Sequence, residues 1–220
     1  MGKLLGYDEK LKFDTGNENY YELLKDGILH PSKVGVVLMS PVAKFILKLN
    51  RVKCGRGVKV YGIPRIENKG RITLGNNMRL NSALCTYNSG NLEGPVLLRT
   101  SKDGSITTGD EVYLNGTAII SEMSVTFGSR IMIGANTVIM DTNTHNVPWE
   151  NRLRRWDKIV RKPVRVEDDV WIGASCFIMK GVTVGKGSII AAGSVVSKDV
   201  EPFCIYAGNP AVFVKKIDDK

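Results

Sequence analysis

Two histidines occur in this chain, and one of them stands where a general base could act. His145 follows Asn143 and Thr144 at the point where a regular sequence pattern stops and an arginine-rich stretch begins. An imidazole titrates near pH 6.5, so it can accept a proton from a hydroxyl group close to neutral pH. His30 lies beside Pro31 at a predicted helix break, and we interpret it as structural. His145 is therefore the candidate catalytic residue.

The chain contains few histidines and cysteines that could bind a metal ion. Zinc prefers tight sets of His and Cys ligands, and two histidines cannot form the three-histidine site that some solenoid enzymes use. The four cysteines are scattered and form no C-x-x-C pair; they are Cys54, Cys85, Cys176 and Cys204. This usage predicts no catalytic metal, no disulfide framework and a reducing, cytoplasmic location.

A six-residue repeat must position the stretch that contains His145. One aliphatic series consists of Val166, Ile172, Ile178, Val184, Ile190 and Val196. Four places after each member stands a second, mostly small or β-branched series: Val170, Cys176, Val182, Ser188, Ser194 and Val200. A period of six fits neither a helix nor a simple strand. It predicts an all-β solenoid of short strands and tight corners, in which about 18 residues rise one layer of roughly 4.8 Å.

The repeat extends towards the N-terminus with interruptions. Earlier members are Leu74 and Leu80, then Thr108, Leu114 and Ile120, and, after a slip of one residue, Phe127, Ile133 and Ile139. The pattern breaks twice, so we predict outward excursions near residues 85–104 and 140–165. The resulting solenoid domain spans residues 52–217.

Residues 1–51 differ from the rest of the chain because they lack the six-residue repeat. They predict a helical or irregular cap over the open end of the solenoid. Helical spacing occurs at Asn17–Leu29 and again at Pro41–Asn50. In the second segment we expect one apolar side, formed by Val42, Phe45, Ile46 and Leu49, opposite Lys44 and Lys48. A role of this basic segment at a membrane surface is the alternative interpretation.

The net charge of +9 indicates a polyanionic partner. The basic residues are dispersed and no recognised nucleic-acid module occurs, so a phosphate-rich cofactor is the simpler explanation and no nucleic-acid partner is expected. Charges and a proline interrupt the most apolar stretch, residues 34–49, so we expect no stable membrane insertion.

Residues 106–217 resemble the hexapeptide-repeat acyltransferases, in the branch of the galactoside and maltose O-acetyltransferases, the polysaccharide-biosynthesis sugar O-acetyltransferases and the streptogramin acetyltransferases. Ordered strings carry the resemblance: Asp141–His145, Val170–Ala174, Met179–Gly185, Ala192–Asp199 and Gly208–Ala211. It implies a left-handed parallel β-helix with triangular coils, acetyl-CoA as the acyl donor, and a homotrimer with active sites between neighbouring subunits.

The resemblance also implies roles for individual residues. His145 would be the general base, and the Gly173–Ala174 corner a candidate donor to the thioester oxygen. The implied cofactor-binding residues are Trp171, Ala174, Ala192, Ser197, Lys198 and Lys215. The implied acceptor contacts are Asn115 and Glu122.

The expected function is transfer of an acetyl group from acetyl-CoA to a hydroxyl of a sugar, for which we expect a precursor of a surface polysaccharide. Other acceptors stay open: a streptogramin-type drug, an amino sugar or serine. A non-catalytic solenoid scaffold is the alternative of a different class, and the intact His145 string argues against it.

Overall fold

The computed structural model describes residues 41–82, 92–153 and 158–217, which coil around a core with three flat faces. Each face is a sheet of strands taken from successive coils, and neighbouring strands are parallel except for the last pair of face B. The repeat therefore predicted the architecture correctly.

The three faces follow one another in chain order. Face A consists of β1 (Lys53–Cys54), β4 (Arg71–Leu74), β7 (Ser105–Thr108), β10 (Val125–Phe127), β13 (Val164–Val166) and β16 (Thr183–Val184). Face B consists of β2 (Lys59–Tyr61), β5 (Arg79–Asn81), β8 (Val112–Asn115), β11 (Ile131–Ile133), β14 (Trp171–Ile172), β17 (Ile189–Ile190), β19 (Cys204–Gly208) and β20 (Ala211–Lys216). Face C consists of β3 (Arg65–Asn68), β6 (Leu97–Thr100), β9 (Ala118–Ser121), β12 (Val138–Met140), β15 (Phe177–Ile178) and β18 (Val195–Val196).

Turns between the faces stack into three edges of the coil. The turns from face A to face B form the AB corner, which includes residues 109–111, 128–130 and 167–170. The BC corner includes residues 116–117, 134–137, 173–176 and 191–194, and the CA corner includes residues 101–104, 122–124 and 197–199. The stretch that contains His145 interrupts the CA corner.

Both predicted inward series from residue 166 to residue 200 line the core. Every member of the two series is at most 3% exposed. Leu74, Leu80, Leu114, Ile133 and Ile139 are equally buried. Buried aliphatic area is the main stabilising contribution to such a coil, because each layer removes its inward side chains from water.

The one-residue slip predicted after Ile120 consists of two opposite changes: the inward step from Leu114 to Ile119 is five residues, and the step from Ile119 to Phe127 is eight. Ile119, rather than Ile120, points inward and lies in register with Ile139 of the next coil. The cause is the BC corner before β9, which contains only Gly116 and Thr117, whereas the next coil uses residues 134–137 there. The shorter turn brings the inward position five residues after Leu114 instead of six.

The first predicted excursion is shorter than expected. Residues 97–100 form β6, which pairs with β3 and β9, so this part of the predicted 85–104 loop belongs to face C. Residues 85–91 lie outside the described residues. The second excursion is confirmed, since the chain leaves the coil after Met140 and rejoins it at Val164.

The helix predicted at residues 41–50 is present over residues 41–49, but its buried side was predicted wrongly. Ala43 and Leu47 are the buried residues and join the core of the coil, whereas Phe45 and Leu49 are mostly exposed. The helix therefore covers the end of the coil through two buried side chains that lie one helical turn apart. The predicted helix at Asn17–Leu29 lies outside the described residues.

The AB corner is held by a ladder of side chains, which we call the corner ladder. In each step a side chain accepts a hydrogen bond from a backbone N–H of the preceding coil. The donor–acceptor pairs are Arg56 to Asn76 at 2.8 Å, Asn76 to Asp110 at 2.7 Å, Asp110 to Ser129 at 3.0 Å and Ser129 to Asp168 at 2.9 Å. The ladder satisfies backbone donors that the turns leave without a strand partner.

Candidate active site

The base of the His145 loop, residues 141–163, is anchored by a buried carboxylate. Asp141 is fully buried, and its Oδ1 accepts a hydrogen bond from the backbone N–H of Glu122 at 2.8 Å. Its Oδ2 accepts from Ser121 Oγ at 2.7 Å and from the N–H of Met123 at 2.8 Å. The first residue of the matched string thus fixes the loop to the preceding turn of the CA corner.

The two ends of the His145 loop also hold each other. Thr142 and Arg161 form an antiparallel bridge, and the N–H of Asn143 donates to the carbonyl of Val160 at 3.1 Å. Thr144 has a positive φ of 61°, and its N–H donates to Thr142 Oγ1 at 3.1 Å. His145 directly follows this tight turn, so it lies next to the base of the loop, where the two ends are hydrogen-bonded to each other.

His145 itself is exposed in the single chain. Its neighbour Asn146 is 2% exposed, so the backbone on the far side of the histidine is packed against the protein. The imidazole therefore projects from a fixed backbone at the CA corner and can meet a ligand there.

The three predicted cofactor residues nearest in sequence lie along face B and the BC corner. Trp171 in β14 is 50% exposed and points outward beside Met132. Ala174 is half-buried and Ala192 is exposed, and both belong to stacked turns of the BC corner. The structure therefore brings Trp171, Ala174 and Ala192 together at one edge of the coil.

Glycines allow the BC turns to stack closely. A Cβ added to Gly134 would lie 2.4 Å from the backbone nitrogen of Ala174, and one added to Gly173 would lie 2.5 Å from that of Ala192. Neither contact is sterically possible for a larger residue without a shift of the backbone. The result is a smooth, narrow edge with small side chains, which suits an extended ligand arm.

Behind this edge lies Cys176, which is fully buried. Its Sγ lies 3.2 Å from the carbonyl oxygen of Ala191, to which the thiol donates. Burial raises the pKa of the Cys176 thiol, so it stays neutral and acts as a small packing residue.

The sequence predicted two backbone N–H donors to the thioester oxygen, those of Gly173 and Ala174, and the first already forms a hydrogen bond within the coil. The N–H of Gly173 donates to the carbonyl of Ile190 at 2.7 Å, as the parallel sheet requires. The carbonyl of Ala174 accepts from the N–H of Gly193 at 2.8 Å. The N–H of Ala174 is therefore the donor of this pair that remains a candidate.

The remaining cofactor residues lie elsewhere in the single chain. Ser197 and Lys198 are exposed in the CA corner, at the opposite edge of face C from Ala192. Lys215 is exposed in β20, opposite Ile205 at the end of face B. One chain therefore does not gather all six predicted cofactor residues into one site.

The two predicted acceptor contacts also occupy different corners. Asn115 ends β8 at the BC corner, and its Nδ2 donates to the carbonyl of Ile133 at 2.8 Å. Glu122 lies at the CA corner beside the His145 loop, where its Oε2 accepts from Arg161 Nε at 2.6 Å. Sequence reasoning missed Arg161 because it was one of several arginines in the loop. Its spacing from Glu122 gave no signal.

In the part of the chain that the structure describes, no group of three or more His, Cys, Asp or Glu side chains could hold a metal ion. In those same residues, no helix is long and apolar enough to cross a bilayer.

Comparisons with known proteins agree with this geometry. The family model described as the hexapeptide repeat of succinyl-transferase matches residues 163–198. The galactoside O-acetyltransferase of Escherichia coli K12 is 32% identical over 130 residues, which are 59% of this chain and 62% of that protein. The corresponding enzyme of Lactococcus lactis is 35% identical over 112 residues, 50% of this chain and 53% of that protein. The chain is thus similar to hexapeptide-repeat acyltransferases over part of its length.

A solved structure shows the same fold. The N-acyltransferase AntD from Bacillus cereus, solved with dTDP-4-amino-4,6-dideoxyglucose and coenzyme A, has a TM-score of 0.63 at 20% identity. The match covers 80% of this chain and 89% of that chain. The fold is therefore a left-handed parallel β-helix, as the resemblance predicted. The chain spans about half the length of the curated relatives it matches, from 45% to 62% in four of them.

Proposed function

We propose that this protein transfers an acetyl group from acetyl-CoA to a hydroxyl group of a sugar or saccharide precursor, with His145 as the general base. The observation that carries the proposal is the anchored His145 loop, which presents an imidazole beside a coil whose next turns form a narrow edge of small residues. The similarity to galactoside O-acetyltransferases supports a sugar acceptor. The bound coenzyme A in AntD supports the donor.

In the proposed reaction, the imidazole of His145 takes the proton of the acceptor hydroxyl as its oxygen attacks the thioester carbonyl carbon. The carbonyl oxygen gains negative charge, which the N–H of Ala174 would stabilise. Collapse of the tetrahedral species breaks the carbon–sulfur bond, and the thiolate of coenzyme A leaves. The imidazolium then returns its proton to the sulfur, so that the products are an acetyl ester and free coenzyme A.

The donor would lie along the BC corner. Its pantetheine arm would follow Ala174 and Ala192, and its acyl end would lie beside Trp171. Its phosphates would meet Lys215 on face B and, from a second copy that shares the site, Lys198 at the CA corner. Both lysines are exposed cations that can act as point charges for phosphate.

We infer that the site is shared between subunits of a homotrimer. His145 stands at the CA corner, whereas Ala174 and Ala192 stand at the BC corner, on the other side of face C. In one coil, Ala174 at the BC corner and Met179 at the CA corner are five residues apart, so up to about 16 Å of chain separates the two corners, which exceeds the reach of one imidazole. A second copy that sets its BC corner against the His145 loop would complete the site.

The acceptor is proposed to be a precursor of a surface polysaccharide, acetylated in the cytoplasm where acetyl-CoA is available. An amine acceptor, such as that of an amino sugar, is the second candidate, because a clostridial tetrahydropyridine-dicarboxylate N-acetyltransferase is 50% identical over 60 residues. An amine would use the same general base.

Two measurements on the full chain test the proposal. Titration calorimetry should detect acetyl-CoA binding that Ala192→Leu weakens about tenfold, because the larger side chain obstructs the edge. Thr107→Leu places the same leucine side chain on exposed face A and is the control. Thiol release from acetyl-CoA should then rise with a sugar, an amino sugar, serine or a streptogramin in a panel. A chain that binds no acetyl-CoA and releases no thiol is a scaffold, and the proposal fails.

A further inference from the structure

The basic residues are dispersed in the sequence, but the excess charge lies at one end of the folded coil. Residues 41–79, which we call the basic end, contain ten basic side chains and one acidic side chain, so their net charge is +9. Residues 1–40 have a net charge of −1, and residues 80–220 have a net charge of +1. The basic end consists of the helix at residues 41–49 and the first turns of the coil, from β1 to the start of β5. The net charge of the chain is therefore concentrated where the coil begins.

The charges of the basic end face solvent and are mostly not neutralised. Nine of its ten basic residues are exposed, and the tenth, Arg79, is half-buried. Its acidic residue, Glu67, is paired with Arg65, whose Nη2 lies 2.7 Å from Glu67 Oε1. Within the part of the chain that the structure describes, no other basic residue of this end forms an ion pair. The basic end therefore keeps a positive potential that attracts anions.

The helix at residues 41–49 directs an apolar side away from the coil. Ala43 and Leu47 pack into the core, and with about 3.6 residues per turn Phe45 lies about 180° around the helix from the midpoint between them. Phe45 is 64% exposed, and its neighbours on this side, Leu49 and Val42, are 69% and 44% exposed. The three side chains form an outward apolar surface, which burial against a partner would remove from water.

The proposed acyl donor does not account for the charge of the basic end. Trp171, the first residue proposed to bind the donor, belongs to β14, which lies four strand positions from β2 on face B. Four strand spacings amount to about 19 Å, and Lys215 in β20 lies still farther along the same face. This separation is more than twice the Debye length of about 8 Å at physiological ionic strength. The basic end is thus available to a different anionic partner.

The combination of apolar and basic groups favours a lipid surface over other polyanions. Lys44 and Lys48 are exposed about one helical turn apart, beside Phe45 and Leu49. A helix with this pattern lies in the headgroup region of a bilayer, with apolar side chains at the acyl boundary and cations near lipid phosphates. A nucleic acid would contact the cations but would set its charged backbone against the apolar side chains. Residues 1–40, with a net charge of −1, cannot balance a charge of +9.

We propose that the basic end binds the surface of an anionic lipid bilayer through the outward side of the helix at residues 41–49. Val42, Phe45 and Leu49 enter the boundary between headgroups and acyl chains, and Lys44 and Lys48 contact lipid phosphates. The later coils, which contain the proposed donor site, stay in the aqueous phase. This proposal goes beyond the proposed function and does not depend on the identity of the reaction.

Flotation of the full chain with unilamellar vesicles tests the proposal. The probes are vesicles of phosphatidylcholine alone and vesicles in which about a third of the lipid is phosphatidylglycerol. The wild type should float with the anionic vesicles only. The lipid concentration for half-maximal binding should rise at least about tenfold between about 0.1 M and about 0.5 M salt, because salt screens the attraction of exposed charges.

Two double variants separate the apolar and the basic contributions. Phe45→Ser combined with Leu49→Ser should raise the lipid concentration for half-maximal binding at least about tenfold, because the apolar contact is lost. Lys44→Gln combined with Lys48→Gln should raise it about tenfold, because two cations leave the lipid surface. All four side chains are exposed, so the melting temperatures should stay close to that of the wild type.

Matched controls carry the same changes elsewhere in the chain. Phe203→Ser removes a phenylalanine that is 46% exposed in the last coil. Lys102→Gln combined with Lys186→Gln removes two exposed lysines outside the basic end. Both controls should bind the anionic vesicles within about twofold of the wild type, because neither changes the helix.

The proposal is overturned if the wild type does not float with the anionic vesicles, as would be the case if residues 1–40 covered the helix. It is also overturned if the helix variants float as their controls do. Binding of a DNA duplex without binding of vesicles would identify a nucleic acid as the partner instead. Dissociation of an oligomer by Phe45→Ser with Leu49→Ser, again without vesicle binding, would identify a second copy. Both of these results contradict the proposal, whereas loss of acetyl-CoA binding would overturn only the proposed function.

Discussion

The coils after the His145 loop differ from the coils before it. From Val166 to Val200 the inward positions recur every 18 residues per coil, and the strands from β14 to β18 contain two residues each. Before the loop, most strands contain three or four residues, and one turn is shortened. The regular half contains every residue that we propose for donor binding, whereas the irregular half contains the proposed acceptor contacts Asn115 and Glu122.

The largest expected effect lies at the boundary between the two halves. His145→Ala should lower turnover at least about a hundredfold, because a positioned imidazole supplies that much to proton transfer. The melting temperature should change little, since the side chain is exposed. Thiol release at saturating acetyl-CoA measures the effect, with His30→Ala as the control for loss of a histidine. Equal activity in the two variants would refute general-base catalysis by His145.

A smaller effect separates a stacked turn of the regular half from an open turn of the irregular half. Gly173→Ala should destabilise the fold by about 1–3 kcal/mol, because the new Cβ would meet backbone atoms of Ala192 at 2.5 Å and 2.8 Å. Gly94→Ala, before the loop, should cost less than about 0.5 kcal/mol, because nothing lies within 4 Å of its added Cβ. Urea unfolding measures both. A similar midpoint for the two variants would contradict the tight stacking of the BC corner.

The smallest effect concerns the corner ladder of the first half. Hydrogen bonds from Asn76 lower the pKa of Asp110 below its ordinary value. The stabilising contribution is therefore present above the unfolded-state pKa, near pH 4, and is lost as the pH falls through the lower folded-state pKa. The melting temperature of Asp110→Asn should fall less than that of the wild type between pH 7 and pH 3. Parallel curves for the two proteins would show that this carboxylate has no such role.

The regular half could be predicted from the sequence because a single constraint acts on it. Each of its inward positions must be small or aliphatic to fit the core. Residues of these types therefore recur in the sequence with the six-residue period of the coil. The same constraint could not predict whether Ile119 or Ile120 points inward, because the two residues are equally apolar. Only the length of the preceding turn decides which of them faces inward.

The candidate site was predictable in part. His145 and the small residues of the BC corner belong to strings whose order is visible in the chain. The Arg161–Glu122 pair joins residues 39 apart across the loop base, and no local pattern predicts such a contact. The buried side of the helix at residues 41–49 was predicted wrongly for a related reason. Which side is buried depends on the coil beneath the helix.

The antiparallel hairpin of β19 and β20 has a consequence for the behaviour of the molecule in a crowded solution. A coil of parallel strands exposes open backbone edges at its end, and another chain could add to them and start a fibre. On face B, β20 reverses direction and presents Lys215 and Lys216 as the outermost strand. Incoming chains meet like charges and a mismatched strand direction there, so end-to-end polymerisation is disfavoured while contacts through the sides of the coil stay available.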